Sequence, residues 1–179
     1  GYRAVAGIDE VGRGPLAGPV VAACVIMPVD MEIDGIYDSK KLSPKRREAM
    51  YDIICDTALS IGIGWTGHGT IDEINILNAT YRAMEAAVKA CDMEPDYLLI
   101  DAVELSNIHI PQSSIIKGDN KSQSISAASI VAKVTRDREM EKWHVMYPEY
   151  GFNSHKGYGT KQHIGAIKEY GLCPIHRRS

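Results

Sequence analysis

Apolar residues along this chain fall into short unbroken runs and longer periodic stretches. Val5-Ala-Gly-Ile-Asp9 reads as a short strand. Gly18 to Met27 reads as a second, apolar at nearly every position and so buried on both faces. Leu59 to Trp65, Tyr97 to Asp101 and Ser113 to Ile116 supply three more. Ser43-Pro44 marks a helix start, Ser as cap and Pro at the first helical position, for a helix reaching about Ala58. From Asp72 to Ala90 the spacing of Ile74, Leu77, Tyr81, Met84 and Val88 predicts a helix with one apolar face. Ser122 to Met146 is the longest helix, stopped by Pro148, and Lys161 to Tyr170 is the last, ended by Gly171. Gly12 to Gly18 and Gly151 to Thr160 are too rich in glycine to be regular and read as loops, the first with accessible backbone amides. Strands grouped first and then alternating with helices predict an α/β fold, one mixed sheet with helices on its faces.

Length and composition narrow this. The 179 residues suit one domain, 1–179, with a helical C-terminal part from residue 140 onward. There is one Phe and there are two Trp, so the core is mostly aliphatic. No apolar run reaches membrane-spanning length and no signal peptide is visible, although the chain opens on Gly1 rather than Met. The cysteines Cys24, Cys55, Cys91 and Cys173 lack zinc-type spacing, and three sit among apolar neighbours. A reducing, cytoplasmic setting is expected. The net charge of -3 argues weakly against a nucleic-acid partner. Locally, however, Lys40, Lys41, Lys45, Arg46 and Arg47 cluster, as do Lys133, Arg136 and Arg138, and the chain closes with His176, Arg177 and Arg178.

Asp9 and Asp101 are the informative acids, because each ends an apolar strand, where a carboxylate is costly to desolvate without a partner. Ligands collect at the carboxyl ends of strands in helix-covered sheets, so two neighbouring strands are expected to bring both acids to one site. Glu10 joins them only if the strand breaks at the following Gly12-Arg13-Gly14. Ser129, Lys133 and Asp137 are spaced four apart and share one helix face. A like-charge pair about 4 Å apart costs on the order of 4 kcal/mol at an effective dielectric near 20, and two divalent cations would cancel four such charges. Oxygen donors suit Mg2+ or Mn2+, and a metal pair is able to activate water for phosphodiester cleavage. Taken singly, each acid has a plainer reading: a turn former at a strand end, or, for Asp137 between Arg136 and Arg138, a surface ion pair.

The local sequences add a resemblance. Gly7-Ile-Asp-Glu-Val-Gly-Arg-Gly-Pro-Leu-Ala-Gly-Pro-Val-Val-Ala22 closely resembles the signature of the ribonuclease HII family, the bacterial type 2 ribonucleases H. So do Asp38-Ser-Lys-Lys-Leu42, Leu99-Ile-Asp101, Ala127 to Arg138, His155-Lys-Gly-Tyr-Gly-Thr160 and the closing His176-Arg-Arg-Ser179, in family order over nearly the whole chain. The resemblance implies a ribonuclease H-like mixed sheet flanked by helices, and an endonuclease that cuts 5′ of ribonucleotides. Its substrates would be RNA/DNA hybrids and single ribonucleotides embedded in duplex DNA, leaving 3′-hydroxyl and 5′-phosphate ends. It implies that Asp9, Glu10, Asp101 and Asp137 are catalytic and hold two Mg2+ or Mn2+ ions, that Gly12, Arg13 and Gly14 contact the ribose 2′-hydroxyl, and that Tyr158 stacks on the sugar beside the cut. It also suggests that Lys40 contacts phosphate, and a monomeric protein. Asp137 favours type HII over type HIII, which has Glu there. Family members commonly continue past the terminal His-Arg-Arg-Ser, so the resemblance does not carry over the family's C-terminal substrate contacts. Two other readings stay open at this point: a nuclease of the same fold acting on DNA alone, and a nucleic-acid-binding protein without catalysis.

Overall fold

A computed structural model describes residues 1–37 and 41–179 of the chain. Five strands form one mixed sheet: β1 (Val5–Val11), β2 (Val20–Ile26), β3 (Ser60–Thr66), β4 (Tyr97–Asp101) and β5 (Gln112–Ile115). Their order is β3-β2-β1-β4-β5, with β1, β2 and β3 antiparallel to their neighbours and β1, β4 and β5 parallel. The helices are α1 (Pro44–Thr57), α2 (His68–Lys89), α3 (Gln123–Met146), α4 (Phe152–His155) and α5 (Lys161–Tyr170).

The unbroken apolar run of β2 is explained by its position inside the sheet with helices on both sides. Ala22, Cys24 and Ile26 point to the face covered by α2, where they join Ile8, Met84, Leu98 and Ile100. Ala23 and Val25 point to the other, against Ile54 of α1 and Ala127, Val131 and Val134 of α3. The same alternation sends Ala6 and Ile8 toward α2, and therefore Gly7 and Asp9 toward α3. Gly7 lets α3 approach: a Cβ there would fall inside the backbone of Ser124 and Ile125. A third apolar cluster, Met140, Tyr150, Phe152, Ala166 and Ile175, holds the chain beyond α3 together and reaches Ala17.

Local signals explain the helix starts. Ser43 Oγ accepts from the Arg46 amide at 3.4 Å with Pro44 following, Ser122 caps α3, and Thr160 Oγ1 accepts from the His163 amide at 3.2 Å. Such caps are each worth about 1 kcal/mol. The second helix departs from the expected pattern. It begins at His68 instead of Asp72 and kinks at Asn75, whose φ is 68°. Asn75 Oδ1 accepts from the Asn78 amide at 3.0 Å, so it caps a new helical segment and resets the phase. Leu77, expected on the apolar face, is consequently exposed, while Ala79, Ala83 and Ala87 are buried. The loop expected from Gly151 to Thr160 contains the single turn α4. All four cysteines are free; Cys24 and Cys173 are buried and Cys55 is exposed. Among the described residues no helix is long and apolar enough to cross a membrane.

Candidate active site

β1 and β4 lie side by side and parallel, with Ile8 opposite Ile100, so the next residue on each strand is an acid. Asp9 and Asp101 thus emerge together at the carboxyl end of the sheet, on the side of α3. They border a hollow of about 330 Å³ lined also by Glu10, Val11, Arg47, Ser129, Ile130 and Lys133. β1 stays paired with β2 through Val11 and ends just before Gly12, so Asp9 and Glu10 both lie within the regular strand. Glu10 still lines the hollow because its pairing with β4 ends at Ile8, leaving residues 9–11 to overhang.

Burial is the main reason the Asp9 carboxyl is pushed well above its ordinary value, with Glu10 and Asp101 adding repulsion. The Ser129 hydroxyl and the Glu10 amide, which donates at 2.8 Å, offset part of this. Glu10 is also raised, by burial and then opposed by Arg13, whose guanidinium stands 3.5 Å away. Asp101 Oδ1 accepts from the Gly118 amide at 2.7 Å. Asp137 is not among the residues lining this hollow. It accepts from Lys133 Nζ at 2.7 Å and borders an adjoining hollow with Glu48, Glu141, Asn153 and Lys156. Arg47 borders both.

Each acid therefore has a local donor, and among the described residues no three His, Cys, Asp or Glu side chains are gathered so as to grip an ion as they stand. The chemistry of the donor set nevertheless fits a hard divalent cation. Only oxygens converge, three carboxylates repel one another, and the most buried is short of positive charge.

Beside the hollow, residues 12–18 form an irregular loop. Gly12 has a φ of 95°, and a Cβ there would strike the Arg136 side chain, so glycine is needed on both counts. Arg13 and Gly14 are exposed, and a Cβ added at Gly14 would meet the Tyr158 ring at 3.6 Å. The Leu16 amide donates to the Gly157 carbonyl at 2.8 Å, which holds the loop alongside the Tyr158 turn. Lys40 lies outside the described residues.

Two arginines read from sequence as basic surface do something else. Arg136 is completely buried and donates to the carbonyls of Pro19, Lys156 and Ala17 at 2.8, 2.8 and 3.0 Å. Arg177 donates to those of Gly12, Arg13 and Gly18 at 2.5, 3.0 and 3.0 Å. Three buried histidines complete this layer. The Cys173 amide donates to His176 Nδ1 at 2.9 Å, which leaves His176 Nε2–H to donate to His163 Nε2 at 2.9 Å. His163 Nδ1–H then donates to the Tyr158 carbonyl, also at 2.9 Å. His155 stacks on His163, its ring donating to the Tyr150 carbonyl. Neutral rings give every proton in this chain a place. Burial accordingly lowers all three imidazoles. Nothing in the spacing signals the two arginines' roles, since five of their six carbonyl partners lie more than 100 residues away in sequence.

A mixed sheet of this order, with acids at the ends of its central strands, defines a ribonuclease H-like nuclease. The structure of ribonuclease H2 from Pyrococcus horikoshii superposes with a TM-score of 0.80 at 30% identity, covering 97% of this chain and 92% of that one. Residues 6–179 match the family model for ribonuclease HII. The ribonuclease HII of Acetivibrio thermocellus is 59% identical and that of Clostridioides difficile 56%, each over all of this chain and 70% of the relative. The chain belongs to the ribonuclease HII family and is a ribonuclease H endonuclease.

Proposed function

We propose that the protein hydrolyses the phosphodiester 5′ of ribonucleotides, in RNA/DNA hybrids and at single ribonucleotides in duplex DNA, with two divalent metal ions. The observation that carries this reading is the juxtaposition of a mutually repelling acid set with a glycine loop and a tyrosine. Asp9, Glu10 and Asp101 line one hollow, and the adjacent glycine loop is tied to the Tyr158 turn by the Leu16 amide on the Gly157 carbonyl.

Asp9, Glu10, Asp101 and Asp137 would hold Mg2+ or Mn2+. Such ions, when bound, supply Lewis-acid activation of water and stabilisation of the leaving oxygen. Asp137 is paired with Lys133 and Glu10 with Arg13, and each would have to give up that partner to hold an ion. Arg47 and Lys133, at the rim, suit the phosphate backbone, a contact that positions without reading sequence.

Discrimination falls to the loop. Only the 2′-hydroxyl separates RNA from DNA at a given position, and a backbone amide is a donor for it that needs no side chain. Gly12, Arg13 and Gly14 supply such amides, and the Tyr158 ring stacks on the sugar of the nucleotide beyond the cut. Products bear a 3′-hydroxyl and a 5′-phosphate.

The test is a duplex DNA carrying one ribonucleotide, incubated with Mg2+ or Mn2+ beside an all-DNA control. Incision only at the ribonucleotide, with a 5′-phosphate on it, is expected. Equal cutting of both duplexes would make this a DNA nuclease. Binding without cleavage by folded protein in either metal would make it a non-catalytic binder.

A further inference from the structure

The loop at residues 12–19 has an unusual internal arrangement. Its carbonyls at Gly12, Arg13, Ala17, Gly18 and Pro19 all accept from two guanidinium groups, and the Leu16 carbonyl accepts from the Arg177 amide at 2.9 Å. Neither guanidinium enters an ion pair among the described residues. A guanidinium withdrawn from water without a carboxylate is expensive unless carbonyls take its donors, and here each (Arg136 fully buried, Arg177 partly) binds three, five of the six carbonyls coming from this loop. Burial and the nearby Arg136 charge bring the Arg177 guanidinium down to about 10.

The loop's carbonyls are taken up by two positive charges, and its Leu16 and Gly18 amides by the Gly157 and Ile175 carbonyls. The amides of Arg13 and Gly14 donate to no backbone carbonyl among the described residues. Arg136 extends the same fastening to the tyrosine. It binds the Lys156 carbonyl two residues before Tyr158, and its guanidinium lies 5.9 Å from the centre of that ring. It also sits next to Asp137 on α3, so one side chain references the loop, the tyrosine and the acid-bearing helix to each other.

We propose that Arg136 and Arg177 are positioning residues for ribonucleotide selection: they hold the 12–14 loop and Tyr158 as one reader formed before substrate arrives. This rests on the function proposed above. The physical gain is preorganisation, because a loop ordered in advance spends none of the binding energy on ordering itself. Arginine is required because a planar fork with five donors in fixed directions serves three carbonyls at once, whereas a lysine ammonium offers a single point.

The test is Arg177→Lys, which keeps the charge and removes the fork. The affected quantities are KM for duplex DNA with one ribonucleotide, and the ratio of the Kd for all-DNA duplex to the Kd for the ribonucleotide-bearing duplex. KM is expected to rise, and the ratio to fall, by roughly tenfold or more, while the Mn2+ concentration for half-maximal activity stays unchanged. A merely structural role would lower the active fraction for both substrates alike and leave KM and the ratio as in the unmodified protein; that result overturns the proposal. Wild-type protein that fails to cut at ribonucleotides overturns the proposed function instead. A measurement on the unmodified, substrate-free protein is independent of whether the variant folds: amide 15N order parameters at residues 12–14 should match rigid backbone, about 0.85, and values below about 0.6 would overturn the proposal.

Discussion

The two halves of this site handle buried polarity in opposite ways. At the strand ends, Asp9, Glu10 and Asp101 are crowded with like charge, and burial holds Asp9 and Glu10 above their ordinary values. A short distance away, Arg136 and three histidines are buried and Arg177 partly so, yet their polar atoms are matched with carbonyls, amides and each other. The first region is short of positive charge and so favours what it lacks. The second is complete and favours nothing new. A site that binds a cation needs the former, and a surface that must distinguish one hydroxyl in a fixed place needs the latter.

The comparison is best broken at Asp9. Asp9→Asn should lower cleavage of ribonucleotide-containing duplex roughly a thousandfold or more, while its metal-free melting midpoint equals or slightly exceeds that of the wild type, since repulsion has been relieved. A large fall in midpoint would show that Asp9 is structural. Arg136→Met should do the reverse, costing about 3 kcal/mol of stability or more because three dry carbonyls lose their donor. An unchanged denaturation midpoint would mean that water reaches them. Tyr158→Ala should reduce cutting at single ribonucleotides by about tenfold, the scale of one stacking contact, with Mn2+ affinity unaltered by calorimetry. Equal loss of metal affinity would place the ring at the acids rather than at the sugar.

A smaller effect is expected from pH. The imidazoles of His155, His163 and His176 are held below their ordinary value, chiefly by burial. Above about pH 6.5 they are neutral in both folded and unfolded chains, and their contribution is fully present. As pH falls below that, the unfolded chain takes up protons first, so stability is lost progressively toward the folded-state values. Melting curves between about pH 7.5 and 5.5 should show this slope, and His176→Gln should flatten it. A flat wild-type profile would contradict the neutral chain. The smallest effect belongs to Arg138, two residues from Arg136. Its partner Glu48 is about as exposed as itself, so Arg138→Ala should cost less than about 1 kcal/mol, in contrast to its buried neighbour.

Much of the sheet was legible because strand periodicity is local. The run at β2 announced burial on both faces, and the acids at the ends of two apolar strands announced a meeting point. Asp137 was harder: its helix face with Ser129 and Lys133 was readable, yet it borders the adjoining hollow and is paired with Lys133. The kink at Asn75 escaped because the residues around it keep a plausible helical spacing, and only the cap that Asn75 provides resets the phase. Arg136 escaped for a stronger reason. In sequence it is one of a charged triplet with Asp137 and Arg138, indistinguishable from surface.

By itself the sequence determined which residues alternate, where helices begin and which acids sit at costly positions, because these follow from bonds between near neighbours along the chain. The tertiary structure alone decided that Glu10 reaches the hollow from within β1, that Asp137 faces an adjoining hollow, and that Arg136 and Arg177 turn onto the loop carbonyls. Those outcomes depend on carbonyls more than 100 residues away for each arginine, brought within hydrogen-bonding distance only by the packing of α3 and the C-terminal segment around one loop.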